Sequence, residues 1–178
     1  MHSLETERLR MRPYAPADLD LMAPLYADPD VTAYTKLGRR SRAQAEAILD
    51  GYVEAWRTRD FGMRALFQKR DGGFVGECGL FLLSGGEAAL RYAVTRDHWG
   101  KGFTTEATAA TLADAFDRVG LARVLSVVQA PNTASRRVMD KLGLTVARRD
   151  RDDDTPLLIY EMTAAAWRLR AAGMVSMT

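Results

Sequence analysis

The sequence predicts a mixed α/β fold, in which helices flank a mostly antiparallel sheet of seven strands with one parallel pair. Three observations carry this. First, strand-like runs at Phe61 to Gln68, Phe74 to Leu83 and Glu87 to Thr95 are separated by Asp71-Gly72-Gly73 and Ser84-Gly85-Gly86, so mid-chain is an antiparallel meander. Second, an Ala-rich helix from Thr104 to Val119 leads into the apolar run Val124 to Gln129. A crossover of the usual hand makes that strand parallel to its predecessor. Third, two glycines, Gly100 and Gly102, stand between the last meander strand and that helix with Lys101 in the gap.

Composition narrows the class. The 178 residues suit one domain, with a core from about residue 7 to residue 170 and a tail lacking order after Gly173. Hydrophobic residues make up 47% and charged residues 27%, a soluble balance. The formal charge of +2 is too small to indicate nucleic acid, and the basic residues are dispersed without an aromatic-basic motif. A single cysteine, Cys78, excludes an internal disulfide, and two histidines argue against a metal centre. No apolar run approaches the roughly 20 residues of a membrane span. The N-terminus lacks an apolar signal core, so a cytoplasmic location is expected.

The remaining elements follow in order. Leu9 and Met11 share one face of a first strand that Pro13 ends; Arg8, Arg10 and Arg12 share the other, read as a solvated edge. Pro16 to Ala27 is helical and Asp28-Pro29-Asp30 breaks it. Ser41 and Gln44 form a capping-box pattern before a second helix, whose Tyr52 and Trp56 fall on its apolar stripe. These two helices are candidates for one wall of a substrate cleft. Gly76 and Gly79 within a strand signal a bulge or the close approach of another backbone. Asn132 suits an N-cap with Ser135 three residues on, and Gly143 ends that helix. Leu144 to Arg149 and Pro156 to Met162 are the last strands, and Thr163 caps a terminal helix.

A strand, a glycine turn and a helix start form an anion site, because the first helical N–H groups lack partners and the helix dipole is positive there. The plain alternative is a tight turn. The loop matches neither Gly-x-x-x-x-Gly-Lys-Ser/Thr nor Gly-x-Gly-x-x-Gly, since position 105 is Thr.

Three segments together resemble the GCN5-related N-acetyltransferase (GNAT) family, and most closely its ribosomal-protein acetyltransferase branch, the RimJ/RimL type. They are the start Glu5-Thr6-Glu7-Arg8-Leu9-Arg10-Met11-Arg12, the loop Trp99-Gly100-Lys101-Gly102-Phe103-Thr104-Thr105-Glu106-Ala107, and Asn132-Thr133-Ala134-Ser135 with Lys141-Leu142-Gly143-Leu144. The sequence departs from the family at Asp97, where the loop usually has Gln or Arg, and at Arg91-Tyr92, where the branch often has Gly-Tyr. Arg91 either bears on substrate choice or faces away from the cleft.

The resemblance implies a GNAT fold with a splayed central parallel pair. It also implies acetyl-CoA as co-substrate, no metal, and a primary amine as acceptor: a protein N-terminus or a small molecule. Trp99, Gly100, Lys101, Gly102, Phe103 and Thr104 would hold the pyrophosphate, and Val94 would flank the pantetheine arm, with a backbone N–H there meeting the oxyanion. Asn132 would contact the arm, its alternative being a helix cap. Ser135 would protonate the leaving thiolate, with Tyr160 as another donor. Glu77, Glu87 and Tyr160 are candidate bases on strands, with a water chain as the alternative carrier of the proton, and His98 reads better as a loop residue. Glu106, in the first helical turn, reads as structural. The branch often forms homodimers. The competing function is a non-catalytic acyl-CoA-binding module on the same fold.

Overall fold

The computed structural model describes residues 2–36 and 38–175. Its strands are β1 (Leu4–Glu5), β2 (Leu9–Pro13), β3 (Met63–Gln68), β4 (Phe74–Leu82), β5 (Ala88–Val94), β6 (Arg123–Gln129), β7 (Thr145–Asp152) and β8 (Thr155–Thr163). The helices are α1 (Leu19–Ala27), α2 (Arg42–Arg59), α3 (Phe103–Ala113), α4 (Thr133–Leu142) and α5 (Ala164–Val175). The strands form one mostly antiparallel sheet in the order β1-β2-β3-β4-β5-β6-β8-β7. The β5–β6 pair is parallel, with Ala89 opposite Leu125.

The sheet has eight strands rather than the seven expected, because the first run divides. Thr6 N–H donates to Leu9 O at 2.9 Å and Leu9 N–H donates to Thr6 Oγ1 at 3.0 Å. A side chain that satisfies nearby backbone groups competes with the ladder and turns the strand back on itself. At the other end, the expected loss of order after Gly173 falls partly outside the described residues, at 176–178; Met174 and Val175 belong to α5.

The chain falls into two compact units. The first holds the chain up to Phe81 and Arg91–Thr111; the second holds Leu82–Leu90 and the chain from Leu112 onward.

In the first unit, α1 and α2 pack their apolar stripes with β3. Tyr14, Met22, Leu25, Tyr26, Leu49 and Met63 are buried together. The capping box forms: Ser41 accepts from Gln44 N–H at 3.2 Å, and Gln44 Oε1 accepts from Ser41 N–H at 2.8 Å. The Arg8–Arg12 face is not simply solvated. Arg12 makes two bonds to Asp18, at 2.6 and 2.8 Å, and stacks on Phe67. Gly76 and Gly79 serve close approach. A Cβ on Gly76, at φ +146°, would lie 2.2 Å from Ala93 O; one on Gly79 would lie 2.3 Å from Gly62 O. The β3–β4 register shifts between Leu66 and Phe67, beside Gly76.

In the second unit, the helix expected to reach Val119 changes to a π turn over Asp114–Arg118. Val119 N–H donates to Asp114 O at 2.9 Å, and Arg118 pairs with the Asp114 carboxylate. The strand β7 is almost wholly exposed and carries Arg148, Arg149, Asp150 and Arg151, charges that discourage edge pairing. Thr163 caps α5 through Ala166 N–H at 3.2 Å.

Gly76→Ala is expected to cost about 2–4 kcal/mol in urea unfolding, from overpacking against β5 together with a strained φ. A cost below about 0.5 kcal/mol would contradict the close approach of β4 and β5 at Ala93.

Candidate active site

The loop after β5 belongs to the first unit. The chain leaves Val94, makes one 3-10 turn over Arg96–His98, and reaches Gly100 and Gly102. Trp99 is half exposed, yet its indole N–H donates to Val94 O at 2.7 Å and fixes where the loop starts. Gly100 and Gly102 have φ of +71° and +81°, which L side chains resist. The two left-handed turns carry the backbone around Lys101, which is exposed. Glu106 N–H makes the first bond back into the loop, to Gly102 O at 3.1 Å. The amides of Phe103, Thr104 and Thr105 precede it, at the helix end where donors lack intrahelical partners. Such a helix start, reached through glycines, suits a phosphate. Both ring nitrogens of His98 are engaged, Nδ1 with Thr95 Oγ1 at 2.7 Å and Nε2 with Gln68 at 3.3 Å, so it builds the loop.

Glu106 has the structural role expected of it, by a means the sequence does not display. Its Oε1 accepts from Thr6 Oγ1 at 2.5 Å and from Arg8 N–H at 2.9 Å. Its Oε2 accepts from Arg8 Nε at 2.7 Å. Arg8 also donates to Lys101 O at 2.9 Å and stacks over Phe103, 4.6 Å from its centroid. The turn between β1 and β2 thus clamps the loop and the first turn of α3. Arg8, read from sequence as an edge charge, is a loop-positioning residue.

A second set of polar groups lies among β4, β5, α1 and α2 of the first unit. Glu77 has no exposure. Its carboxylate accepts from Tyr26 OH at 2.8 Å and Tyr14 OH at 3.1 Å, and Arg91 Nε lies 3.6 Å away. Tyr52 OH lies 2.8 Å from Tyr26 OH. Because Tyr26 gives its proton to Glu77, its oxygen is left to accept from Tyr52, so the chain of donors runs inward. Burial raises the Glu77 pKa, opposed by Arg91 and the two tyrosine bonds. Burial and the nearby carboxylate hold Tyr14 and Tyr26 well above the usual 10, so both stay neutral donors. Arg91 thus faces Glu77 and Tyr26. Sequence reasoning placed Tyr52 on the apolar stripe of a helix that could wall a cleft and did not single out Tyr14 or Tyr26, since a tyrosine on an apolar face carries no sign of what its hydroxyl meets.

The other candidates lie in the second unit. Asn132 is the N-cap of α4, accepting from Ser135 N–H at 3.0 Å, so the capping alternative is realised in its Oδ1. Ser135 is half-buried in the first turn of α4. Tyr160 is buried on β8, opposite Ser126 of β6. Glu87 pairs with Arg123. No group of three or more His, Cys, Asp or Glu suited to a metal occurs among the described residues. Nor is any described helix long and apolar enough to cross a membrane.

A glycine loop thus leads from a strand into a helix, on a mixed sheet with one parallel pair. Residues 8–145 match the acetyltransferase (GNAT) domain model, and the chain belongs to that family. It is 29% identical over 150 residues to an uncharacterised N-acetyltransferase, p20, of Bacillus licheniformis, covering 80% of this chain and 82% of that protein. A GNAT-family acetyltransferase from Bordetella pertussis superposes with a TM-score of 0.81 at 24% identity, over 92% of this chain and all (100%) of that one. A ribosomal-protein-S5-alanine acetyltransferase from Vibrio fischeri gives 0.79 at 15% identity, over 94% and 99%. The protein is an N-acetyltransferase, and its family uses acetyl-CoA.

The clamp has a pH signature. Burial works to raise the Glu106 pKa, but the bonds from Thr6 and Arg8 outweigh it and hold it below the ordinary 4.5. A depressed folded value makes the clamp's contribution complete above the unfolded value and lost as pH falls through the folded one. Glu106→Gln should therefore melt below wild type at neutral pH, with the gap narrowing below about pH 4. A gap independent of pH would show that the Glu106 charge does not hold the clamp.

Proposed function

We propose that this N-acetyltransferase moves the acetyl group of acetyl-CoA to a primary amine, of a protein N-terminus or a small molecule, and that the whole chain serves this one activity. The observation that carries the reading is the clamped loop. Gly100 and Gly102 take left-handed φ values that turn the backbone around Lys101 into the start of α3, and the reading assigns a pyrophosphate to the amides there, with Trp99, Phe103 and Thr104 beside it. Support for the finer substrate choice comes from the opening motif and from the likeness in fold to ribosomal-protein acetyltransferases.

Acetyl transfer needs an amine lone pair, donors for the tetrahedral oxyanion and a proton for the departing thiolate. The C–N bond forms at the thioester carbonyl, the C–S bond breaks, and the sulfur takes a proton. The backbone at Val94 is assigned to the thioester. Gly76 packs flat against it, since a Cβ there would lie 2.8 Å from Val94 Cα. Glu77 is assigned the amine proton. Being wholly buried, it receives that proton through the hydroxyls of Tyr52 and Tyr26 rather than by direct contact. In the second unit, the same reading assigns contact with the CoA arm to Asn132 and protonation of the thiolate to Ser135 or Tyr160.

Acetyl-CoA should raise the melting temperature, and Gly102→Glu should abolish that rise by placing a carboxylate in the anion site at a residue with φ +81°. Unchanged CoA affinity in this variant would place the site elsewhere. Tyr26→Phe should lower kcat by about tenfold or more with little change in KM, read from CoA release, because it breaks the line of hydroxyls. An unaltered kcat would remove Glu77 from the proton path.

A further inference from the structure

Arg91 occupies a position where the resembling branch often has glycine, and its surroundings give it a specific task. Its side chain is one-third exposed. Its Nε faces the Glu77 carboxylate at 3.6 Å, and its guanidinium lies over Tyr26, 5.3 Å from the ring centroid. The two terminal nitrogens make no hydrogen bond among the described residues. No buried side-chain nitrogen lacks a partner there either, so those terminal nitrogens reach the surface. Nε is therefore anchored, and the terminal nitrogens, a pair that can meet a carboxylate with parallel hydrogen bonds, keep contact with solvent.

The location of Arg91 ties those nitrogens to the acceptor. Side chains alternate along β5, so Arg91 and Ala93 share one face. Ala93 packs on the buried cluster built by α1, α2 and β3, so this is the face those helices cover. Arg91 stands three residues before Val94, about 10 Å along a strand. Glu77 and the tyrosine hydroxyls lie on the same face. A small molecule with its carboxylate on Arg91 can reach both the proton path and the end of β5.

We propose that Arg91 recognises the acceptor, and that the acceptor is a small amine that also carries a carboxylate, as an amino acid does. This rests on the acetyl-CoA reading above and sharpens its substrate class. Polyamines and aminoglycosides carry no carboxylate for the guanidinium to bind, so they are disfavoured as acceptors.

The test measures CoA release for amino acids, their carboxamides and spermidine, in wild type, Arg91→Gln and Arg91→Lys. Wild type should favour carboxylates over matching carboxamides by about tenfold or more in kcat/KM. In Arg91→Gln that ratio should fall towards about one, chiefly through a higher KM, and Arg91→Lys should restore part of it. Calorimetry of N-acetylated amino acids and their amides, on CoA-loaded protein, reads the same preference without turnover. Equal use of carboxylate and carboxamide, a preference for spermidine, or an unchanged ratio in Arg91→Gln each overturns the proposal. So does an absence of both turnover and product binding in protein that binds acetyl-CoA. The acetyl-CoA-induced rise in melting temperature separates the failures. Its loss in wild type defeats the cofactor reading, whereas its presence without a carboxylate preference defeats the role of Arg91 alone. The same rise in the variants shows that they have folded.

Discussion

A carboxylate with no access to water must be paired and hydrogen-bonded or it will not stay charged, and Glu77 imposes that condition on the whole first unit. Tyr14 comes from the segment after β2, Tyr26 from α1, Tyr52 from α2 and Arg91 from β5. Elements far apart in sequence converge on one side chain. Removing any one partner would leave polar atoms buried without compensation, which is costlier than never having buried them. The apolar packing of α1 and α2 supplies cohesion, and the polar cluster fixes how these helices are seated.

The second constraint is at the other end of β5. Two left-handed glycines give the loop its course but no rigidity of its own. Rigidity comes from Arg8 and Glu106, which tie the β1–β2 turn to the start of α3. Holding the loop before ligand arrives reduces the ordering cost of binding. The strand β5 thus has a clamp beyond its end and a charge anchor within it. A single short element sets the spacing between the proposed cofactor loop and the proposed acceptor-binding arginine.

Much of this architecture was legible in the chain. Turn glycines, the Ser41–Gln44 capping box and the apolar run of β6 report local physics, and local physics decides them. The meander, the crossover and the loop followed from those signals, and the loop carried the family resemblance only together with the opening segment and the Asn132–Leu144 segments. What failed locally also failed for a local reason. The Thr6 hydroxyl broke a strand whose hydrophobic pattern did not reveal it, and the π turn at Asp114 interrupted a helix whose composition was uniform.

The sequence by itself determined which segments are strands and helices, where the glycine loop lies and which family the chain resembles, because backbone preference and hydrophobic period are written residue by residue. Only the tertiary structure decided which charges are solvated and which are spent. Arg8, Arg10 and Arg12 alternate with Leu9 and Met11 along the chain, yet Arg8 holds the loop, Arg12 holds Asp18, and Arg10 makes only an exposed pair with Glu5. Glu77 and Arg91 are neighbours only because β4 and β5 lie side by side in the sheet. A side chain's chemistry is fixed by its type, but its pKa, partners and exposure belong to what folding brings against it.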